Sequence, residues 1–273
     1  MPIITISRSF CSKGKLVAEK VASTLSYQCI SREILLEASE QFNVPEIKLA
    51  RAIHDGPTVY ERFSHGKEGY IAFIKAALLN RLKTGDIVYH GLAGHFFVQD
   101  IPHILKIRLL ADKEARIIEE MARENVTESV AQKRLAKDDK ERCDWSTYLY
   151  KIDTRDPELY DLTLNLKQVS VEDCVTMILS ALKLPYFRDT EDAKVTLENL
   201  ALSATIKATI VHKYYNAEVS SQAGNVVIKL PEPVAQIEKT KDDLKSLIKN
   251  IEGINELYFN IMSNTLPRTA MHK

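Results

Sequence analysis

The residues best placed to do chemistry stand near the start of the chain, in a polar loop that ends at Gly14 and Lys15. The apolar run at residues 2–6 before the loop is typical of a buried strand, and apolar residues recur at helical spacing over residues 16–25. Such a loop can bind phosphate, because backbone N–H groups and the helix dipole face the anion while the lysine reaches its outer oxygens. An ordinary surface turn with a lysine would have the same local sequence.

The loop lacks two features of most phosphate loops. Ser9 stands where the first glycine usually lies, and Leu16 stands where a magnesium-binding Ser or Thr usually follows the lysine. The loop alone therefore indicates a phosphate site only weakly, and its context in the chain has to decide.

Composition and charge exclude several classes of protein. Lys and Arg number 37, as do Asp and Glu, so no net charge favours nucleic acid or an anionic membrane. No apolar run approaches the ~20 residues that span a bilayer, and we expect no secretory leader. The four cysteines show no C-x-x-C spacing. We therefore expect a cytoplasmic protein with reduced thiols and no nucleic-acid partner.

Strands and helices alternate along the first part of the chain. Apolar, β-branched runs predict strands at residues 2–6, 86–90, 103–110 and 161–166. This alternation predicts a parallel sheet with helices on both faces. Ligands of such sheets bind beyond the carboxyl ends of the strands, where the loop and the turn at residues 91–95 would lie.

The pattern changes after residue 186, where residues 187–192 are predicted as a linker. Residues 193–265 follow the order helix, strand, strand, helix, strand, which is typical of a small α+β domain. We therefore expect a first domain at residues 1–186, a second at residues 193–265 and a tail at residues 266–273.

The motifs of the first domain, in their order and spacing, resemble those of the cytidylate kinase-like family of nucleoside monophosphate kinases. The motifs are the strand and loop at residues 4–15, the strand and glycine turn at residues 87–94, Arg108 and Arg116 around residues 110–112, and a D-x-x-R run at residues 139–142 followed by residues 159–162. The resemblance implies a P-loop, three-layer α/β/α fold. It also implies phosphoryl transfer from ATP, with Mg²⁺, to a nucleoside monophosphate, with CMP as the expected acceptor.

The resemblance assigns catalytic roles to three basic residues. Lys15 would bind the β- and γ-phosphates of ATP, and Arg116 and Arg142 would be lid arginines that close over the transferred phosphoryl group. Without that role, Arg116 would lie on a solvated helix face and Arg142 would pair with Asp138 or Asp139.

The same resemblance divides the other site residues between the two substrates. The donor phosphates would contact Ser9, Ser12, Lys13, Gly14 and Lys15. The acceptor would contact Arg32, His90, Gly91, Gly94 and Arg108. Alternatively, Arg32 is a surface residue at a helix start and His90 is a buried structural histidine. We name no residue as a metal ligand.

The chain departs from the family pattern at both sites. Cys11 and Lys13 occupy loop positions that are commonly glycine, where a side chain can tilt the N–H groups. His90 and Leu92 flank Gly91, where true cytidylate kinases carry an acidic residue and an arginine. These departures leave a second function open, namely a nucleotide-binding regulatory protein with weak or no catalysis.

The second domain resembles a BON domain over residues 219–230 and 250–257. That resemblance implies contact with a membrane surface, a ligand or a partner protein. The lysines of its second helix are interleaved with Asp and Glu, however, which is typical of a solvated helix face.

Overall fold

The computed structural model describes residues 2–9, 12–54, 66–91, 94–99, 101–150, 152–232 and 236–263. Its larger sheet is parallel throughout, with the strand order β2-β3-β1-β4-β5. The strands are β1 (Ile3–Arg8), β2 (Gln28–Ile30), β3 (Ile87–His90), β4 (Ile104–Leu110) and β5 (Leu162–Asn165). The predicted parallel sheet is confirmed, and β2 is a three-residue edge strand that the sequence pattern did not indicate.

Helices cover both faces of this sheet, as predicted. They are α1 (Gly14–Leu25), α2 (Glu33–Phe42), α3 (Glu46–His54), α4 (Gly66–Leu82), α5 (Gly94–Phe97), α6 (Lys113–Glu124), α7 (Glu128–Tyr150) and α8 (Val171–Leu182). One face packs against α2, α3, α4 and α5, and the opposite face packs against α1 and α8. Apolar side chains are therefore buried in two layers around a central sheet.

The helices α6 and α7 form a hairpin beside the sheet. Its apolar contacts are few and come from Ile117, Ala131 and Leu135. The carboxylate of Glu120 is 1% exposed and accepts hydrogen bonds from Arg123 at 2.7 Å and Arg134 at 3.4 Å. An ionic cluster thus supplements a small apolar core between the two helices.

The last part of the chain forms a second unit in the predicted element order. It contains α9 (Glu191–Ile210), β6 (Glu218–Gln222), β7 (Asn225–Glu232), α10 (Ile237–Ile248) and β8 (Glu256–Ser263). The strand β7 pairs antiparallel with β6 and parallel with β8. Gly224 lies in the β6–β7 turn at φ +78°, and a Cβ atom there would meet Asn255 at 2.5 Å.

The helix α9 contributes to the cores of both units. Leu197, Ala201 and Ala204 pack into the core of the first unit, while Ile206 and Ile210 pack against the small sheet. The domain boundary near residues 187–192 and the likeness to a BON domain stay predictions. Residues 266–273 lie outside the described ranges.

The surface of α10 agrees with a solvated face. Lys241 pairs with Glu238 at 2.7 Å, one helical turn away. No helix in the described part of the chain is long and apolar enough to cross a membrane.

Candidate functional site

The N-terminal loop joins β1 to α1, as the sequence predicts. The Ser12 hydroxyl donates to the Ser9 carbonyl at 2.8 Å and accepts from the Gly14 N–H at 3.3 Å, which ties the two ends of the loop together. A Cβ atom at position 14 would lie 2.8 Å from Arg8 Cβ, so the loop needs glycine there. Cys11 lies outside the described residues.

The helix α1 begins directly after the loop. Its N-cap residue, Lys13, makes no side-chain capping hydrogen bond. The N–H groups of the first turn beyond Gly14 therefore face the loop, in the arrangement that binds phosphate. A cavity of about 610 Å³ adjoins this end, lined by Ser12, Lys13 and Lys15 together with Glu119 and other residues.

Lys15 lies on the outer side of α1. Its side chain is 66% exposed, and its Nζ lies 3.6 Å from Glu19 Oε1. Leu16, which follows it, is 43% exposed and places an apolar side chain at the surface. Lys15 therefore has to leave a weak, solvent-exposed ion pair before it can contact a nucleotide.

Two arginines of the α6–α7 hairpin bind aspartates of α7, and one of them also reaches the carboxyl end of the sheet. Arg142 donates from Nε to Asp138 at 2.5 Å and from Nη1 to the carbonyl of Arg8, the last residue of β1, at 3.0 Å. Arg116 is 8% exposed and makes two hydrogen bonds to Asp139, at 3.0 and 2.7 Å. Arg116 is therefore not on a solvated helix face, whereas the alternative ion pair of Arg142 with Asp138 is present.

Arg108 lies at the same end of the sheet, in β4. It pairs in register with Ser7 of β1, and its Nη1 donates to the Ser7 hydroxyl at 2.6 Å. Burial lowers the pKa of Arg108, and the nearby charge of Arg142 acts in the same direction. No carboxylate among the described residues forms an ion pair with it. We call Arg108, Arg116 and Arg142 the arginine cluster.

Tyr160 lies beneath Arg108. The guanidinium carbon of Arg108 is 5.8 Å from the centroid of the Tyr160 ring. The Tyr160 hydroxyl is 2.9 Å from the Thr154 carbonyl oxygen, 3.1 Å from His95 Nε2 and 3.4 Å from Ser7 Oγ. Burial raises the pKa of this hydroxyl.

The glycine turn after β3 has its own packing requirement. A Cβ atom at position 91 would lie 2.7 Å from the hydroxyl of the buried Tyr89, and one at position 94 would lie 2.4 Å from its ring carbons. Gly91 and Gly94 thus make room for Tyr89, and their contact with the acceptor stays a prediction. Leu92 lies outside the described residues.

His90 and Arg32 differ from the cluster in their surroundings. His90 is 5% exposed, and burial together with the charge of Arg8 lowers its pKa to about 4. The Arg32 side chain is 72% exposed and donates to Glu46 Oε1 at 2.7 Å. The structure therefore brings Arg108, Arg116 and Arg142 together, while Arg32 contacts α3.

Sequence reasoning did not assign roles to Ser7, Arg8 and Tyr160. A signal was present, because Ser7 and Arg8 are polar residues that end an otherwise apolar strand next to the loop. For Tyr160 the motif marked a strand but gave no reason to expect contacts with β1 and α5.

The position at which most phosphate loops hold magnesium carries an apolar residue in this chain. The described residues contain no group of three or more His, Cys, Asp or Glu side chains placed to hold a metal ion. The position after Lys15 is the apolar Leu16. A magnesium ion held by a loop hydroxyl, as in most phosphate loops, does not fit here.

The chain belongs to the cytidylate kinase-like family, whose family model matches residues 3–168. Membership together with the parallel sheet gives the first unit a kinase-like P-loop α/β fold. None of the curated proteins matches the chain.

Solved structures are similar to the same part of the chain. An uncharacterized protein from Eubacterium ventriosum ATCC 27560 is 23% identical, over 67% of this chain and 98% of that one, with a TM-score of 0.50, which shows a shared fold. TT1252 from Thermus thermophilus is 15% identical over 67% of this chain and 98% of that one, with a TM-score of 0.44. Shikimate kinase from Bacteroides thetaiotaomicron is 10% identical over 67% of this chain and 99% of that one, with a TM-score of 0.41.

Proposed function

We propose that this member of the cytidylate kinase-like family transfers the γ-phosphoryl group of ATP to a nucleoside monophosphate, with CMP as the preferred acceptor. The observation that supports the proposal is the arginine cluster at the carboxyl ends of β1 and β4. Phosphoryl transfer spreads negative charge over the moving group, and catalysis depends on positioned positive charge rather than on covalent chemistry. Several guanidinium groups beside a phosphate-binding loop meet that requirement.

Arg108 is the proposed contact for the acceptor phosphate. Its guanidinium is partly buried without a carboxylate partner among the described residues, an arrangement that costs free energy until an anion binds. Two oxygens of a phosphate can accept parallel hydrogen bonds in the plane of the guanidinium, which is the geometry that arginine prefers. Arg108 is therefore a better candidate than the exposed Arg32, which already pairs with Glu46.

Arg116 and Arg142 are proposed to act on the transferred group. Each now binds an aspartate of α7, Asp139 or Asp138. When ATP and acceptor bind, phosphate oxygens would replace these carboxylates as hydrogen-bond acceptors, so that the hairpin closes over the reacting groups and excludes water. ATP would lie on the N terminus of α1, with Lys15 at its outer phosphates.

The alternative is a nucleotide-binding regulatory protein with weak or no catalysis. Leu16 and the exposed pair of Lys15 with Glu19 favour it, because both weaken the donor site. In this alternative the second unit, joined through α9, would transmit the nucleotide-bound state to a partner or a membrane surface.

A coupled ADP-release assay across nucleoside monophosphates tests the proposal. We expect turnover with CMP, a loss of at least about a hundredfold in kcat/KM for Arg108→Ala, and little change for Arg32→Ala. Lys15→Ala serves as the donor-site control. ATP binding without turnover on any acceptor would contradict the kinase and support the regulatory alternative.

A further inference from the structure

The hydroxyl of Tyr160 has one proton and several polar neighbours, and the chemistry of the three atoms within 3.4 Å of it, with the Arg108 guanidinium as a further donor, decides where the proton points. The Thr154 carbonyl, 2.9 Å away, can only accept a hydrogen bond. Tyr160 therefore donates to Thr154, and its oxygen can only accept from the other neighbours.

This assignment fixes the tautomer of His95. Its Nε2 lies 3.1 Å from the Tyr160 oxygen and must donate, so the ring carries its proton on Nε2. Burial, with the nearby charge of Arg108, lowers the pKa of His95 to about 3, so the ring is neutral near pH 7. Nδ1 then holds a lone pair, and it is buried without a hydrogen-bond partner among the residues described.

Ser7 extends this series of hydrogen bonds, which we call the hydrogen-bond chain, to Arg108 of the arginine cluster. Its oxygen accepts from Arg108 Nη1 at 2.6 Å, which leaves the Ser7 proton to point at Tyr160, 3.4 Å away. Hydrogen bonds therefore run in one direction, from Arg108 through Ser7 and Tyr160 to Thr154. Donors in such a chain polarise one another, and the chain ends on a carbonyl in the segment that follows the α6–α7 hairpin.

We propose that Tyr160 and His95 are positioning residues that hold the Arg108 guanidinium in place for the acceptor phosphate. The His95 N–H and the Ser7 hydroxyl both donate to the Tyr160 oxygen, so that the Tyr160 proton points at the Thr154 carbonyl and the Ser7 oxygen stays turned to Arg108. A long, flexible arginine held in this way loses less entropy when it binds an anion. The inference rests on the proposed function, because it concerns how Arg108 meets the acceptor.

The first test replaces Tyr160 with Phe in the full chain. The ring beneath Arg108 remains and only the hydroxyl is lost. We expect the dissociation constant for CMP to rise about tenfold while that for ATP stays unchanged, as for the loss of a hydrogen bond that supports a charged group. Tyr214→Phe is the matched control, because the Tyr214 hydroxyl donates to Asp243 in the second unit.

Two results of this test would overturn the inference. One is an unchanged affinity for CMP in Tyr160→Phe. The other is an equal loss for ATP and CMP together with a lower melting temperature, which would make Tyr160 a structural residue only. Ser7→Ala interrupts the same chain at another position, and we expect it to reproduce the selective loss of CMP affinity.

The second test separates the donor role of His95 from its bulk. The amide nitrogen of glutamine can replace Nε2 as a donor, whereas leucine fills the space without one. We expect His95→Gln to retain most of the CMP affinity and His95→Leu to lose as much as Tyr160→Phe. A glutamine variant no better than the leucine variant would contradict the role.

A third measurement does not depend on activity. Long-range ¹H–¹⁵N spectra of the histidine rings, with His95 assigned by its absence from His95→Gln, report the tautomer directly. We expect a neutral ring protonated on Nε2 at pH 7, and a proton on Nδ1 or on both nitrogens would overturn the inference. If the unaltered chain bound no CMP, the proposed function would fail, and these spectra would still decide the hydrogen-bond chain.

Discussion

At the scale of single residues, the protonation of His90 depends on folding. Burial and the charge of Arg8 lower its pKa to about 4, whereas an unfolded histidine has a pKa of about 6.5. Between these values the unfolded chain binds more protons than the folded one, so the stability falls as the pH drops from about 6.5 to about 4. We expect a slope of up to about 1.4 kcal/mol per pH unit from this residue in that window.

Urea unfolding at a series of pH values measures this slope. His95 contributes a slope of the same sign. Its pKa is lowered to about 3, so its contribution extends to lower pH than that of His90. His90→Gln should reduce the slope between pH 6.5 and 4. The same slope in the variant and the unaltered chain would show that another group is responsible.

Leu16 is the residue whose replacement should raise activity. Leu16→Thr supplies the hydroxyl that most phosphate loops place after the lysine, at a position where the side chain is already 43% exposed. We expect a several-fold increase in kcat/KM for magnesium–ATP and little change in stability. Leu16→Ala removes the same surface without adding a hydroxyl, so an equal gain in both variants would mean that the hydroxyl does nothing.

Local motifs made some site residues predictable and others not. Gly14 and Lys15 are adjacent in sequence, so the local pattern alone places them at the start of a helix, whereas Arg142 lies within α7, beyond the predicted end of that helix. The contact of Tyr160 with Ser7 depends on how β5 and β1 sit on either side of β4, which no local pattern contains.

At the scale of elements, the α6–α7 hairpin depends on a buried carboxylate. Glu120 is 1% exposed between Arg123 and Arg134, and the apolar contacts of the hairpin are few. Glu120→Gln removes the buried anion between the two guanidinium groups and leaves them only the half-exposed Glu124, and we expect a local destabilisation of about 2 kcal/mol. Amide hydrogen exchange should report it as faster exchange in α6 and α7, with the sheet unchanged.

Glu124→Gln provides the matched control for this hairpin. Glu124 contacts the same two arginines but is 41% exposed, so its loss should cost less than about 1 kcal/mol. Equal protection losses in the two variants would show that burial of Glu120 does not matter.

Element types were more predictable than their extents. The alternation of apolar runs and amphipathic segments is enough to predict a parallel sheet. The edge strand β2 escaped detection because three residues, one of them exposed, are too few to show a period. The continuation of α7 to Tyr150 is likewise not apparent, since charged residues leave its pattern without a clear apolar stripe.

At the scale of the whole molecule, we expect α9 to make the two units unfold together, because it packs into both cores. Leu197 is 4% exposed in the core of the first unit, and Leu244 is buried in that of the second. Either Leu→Ala change should cost about 2–5 kcal/mol and move one common transition in calorimetry. Two separate transitions, of which Leu244→Ala moved only one, would show that the units are independent.

The order of elements in the second unit follows from the sequence, but the position of α9 does not. Apolar residues on opposite sides of a helix indicate burial on both sides without naming the partners. Leu197 and Ile206 therefore predict a buried helix, and only the structure shows that their partners belong to different sheets.

The small residues of α9 have a consequence for how substitutions in this chain would be interpreted. Ala201, Ala204 and Ala208 are each at most 6% exposed, with apolar neighbours close around them, so any larger side chain would force a core apart. A survey of tolerated substitutions would find these alanines as restricted as the phosphate loop, although they lie away from the arginine cluster. Positions that tolerate no substitution would therefore mark the helix shared by the two cores as well as the candidate site.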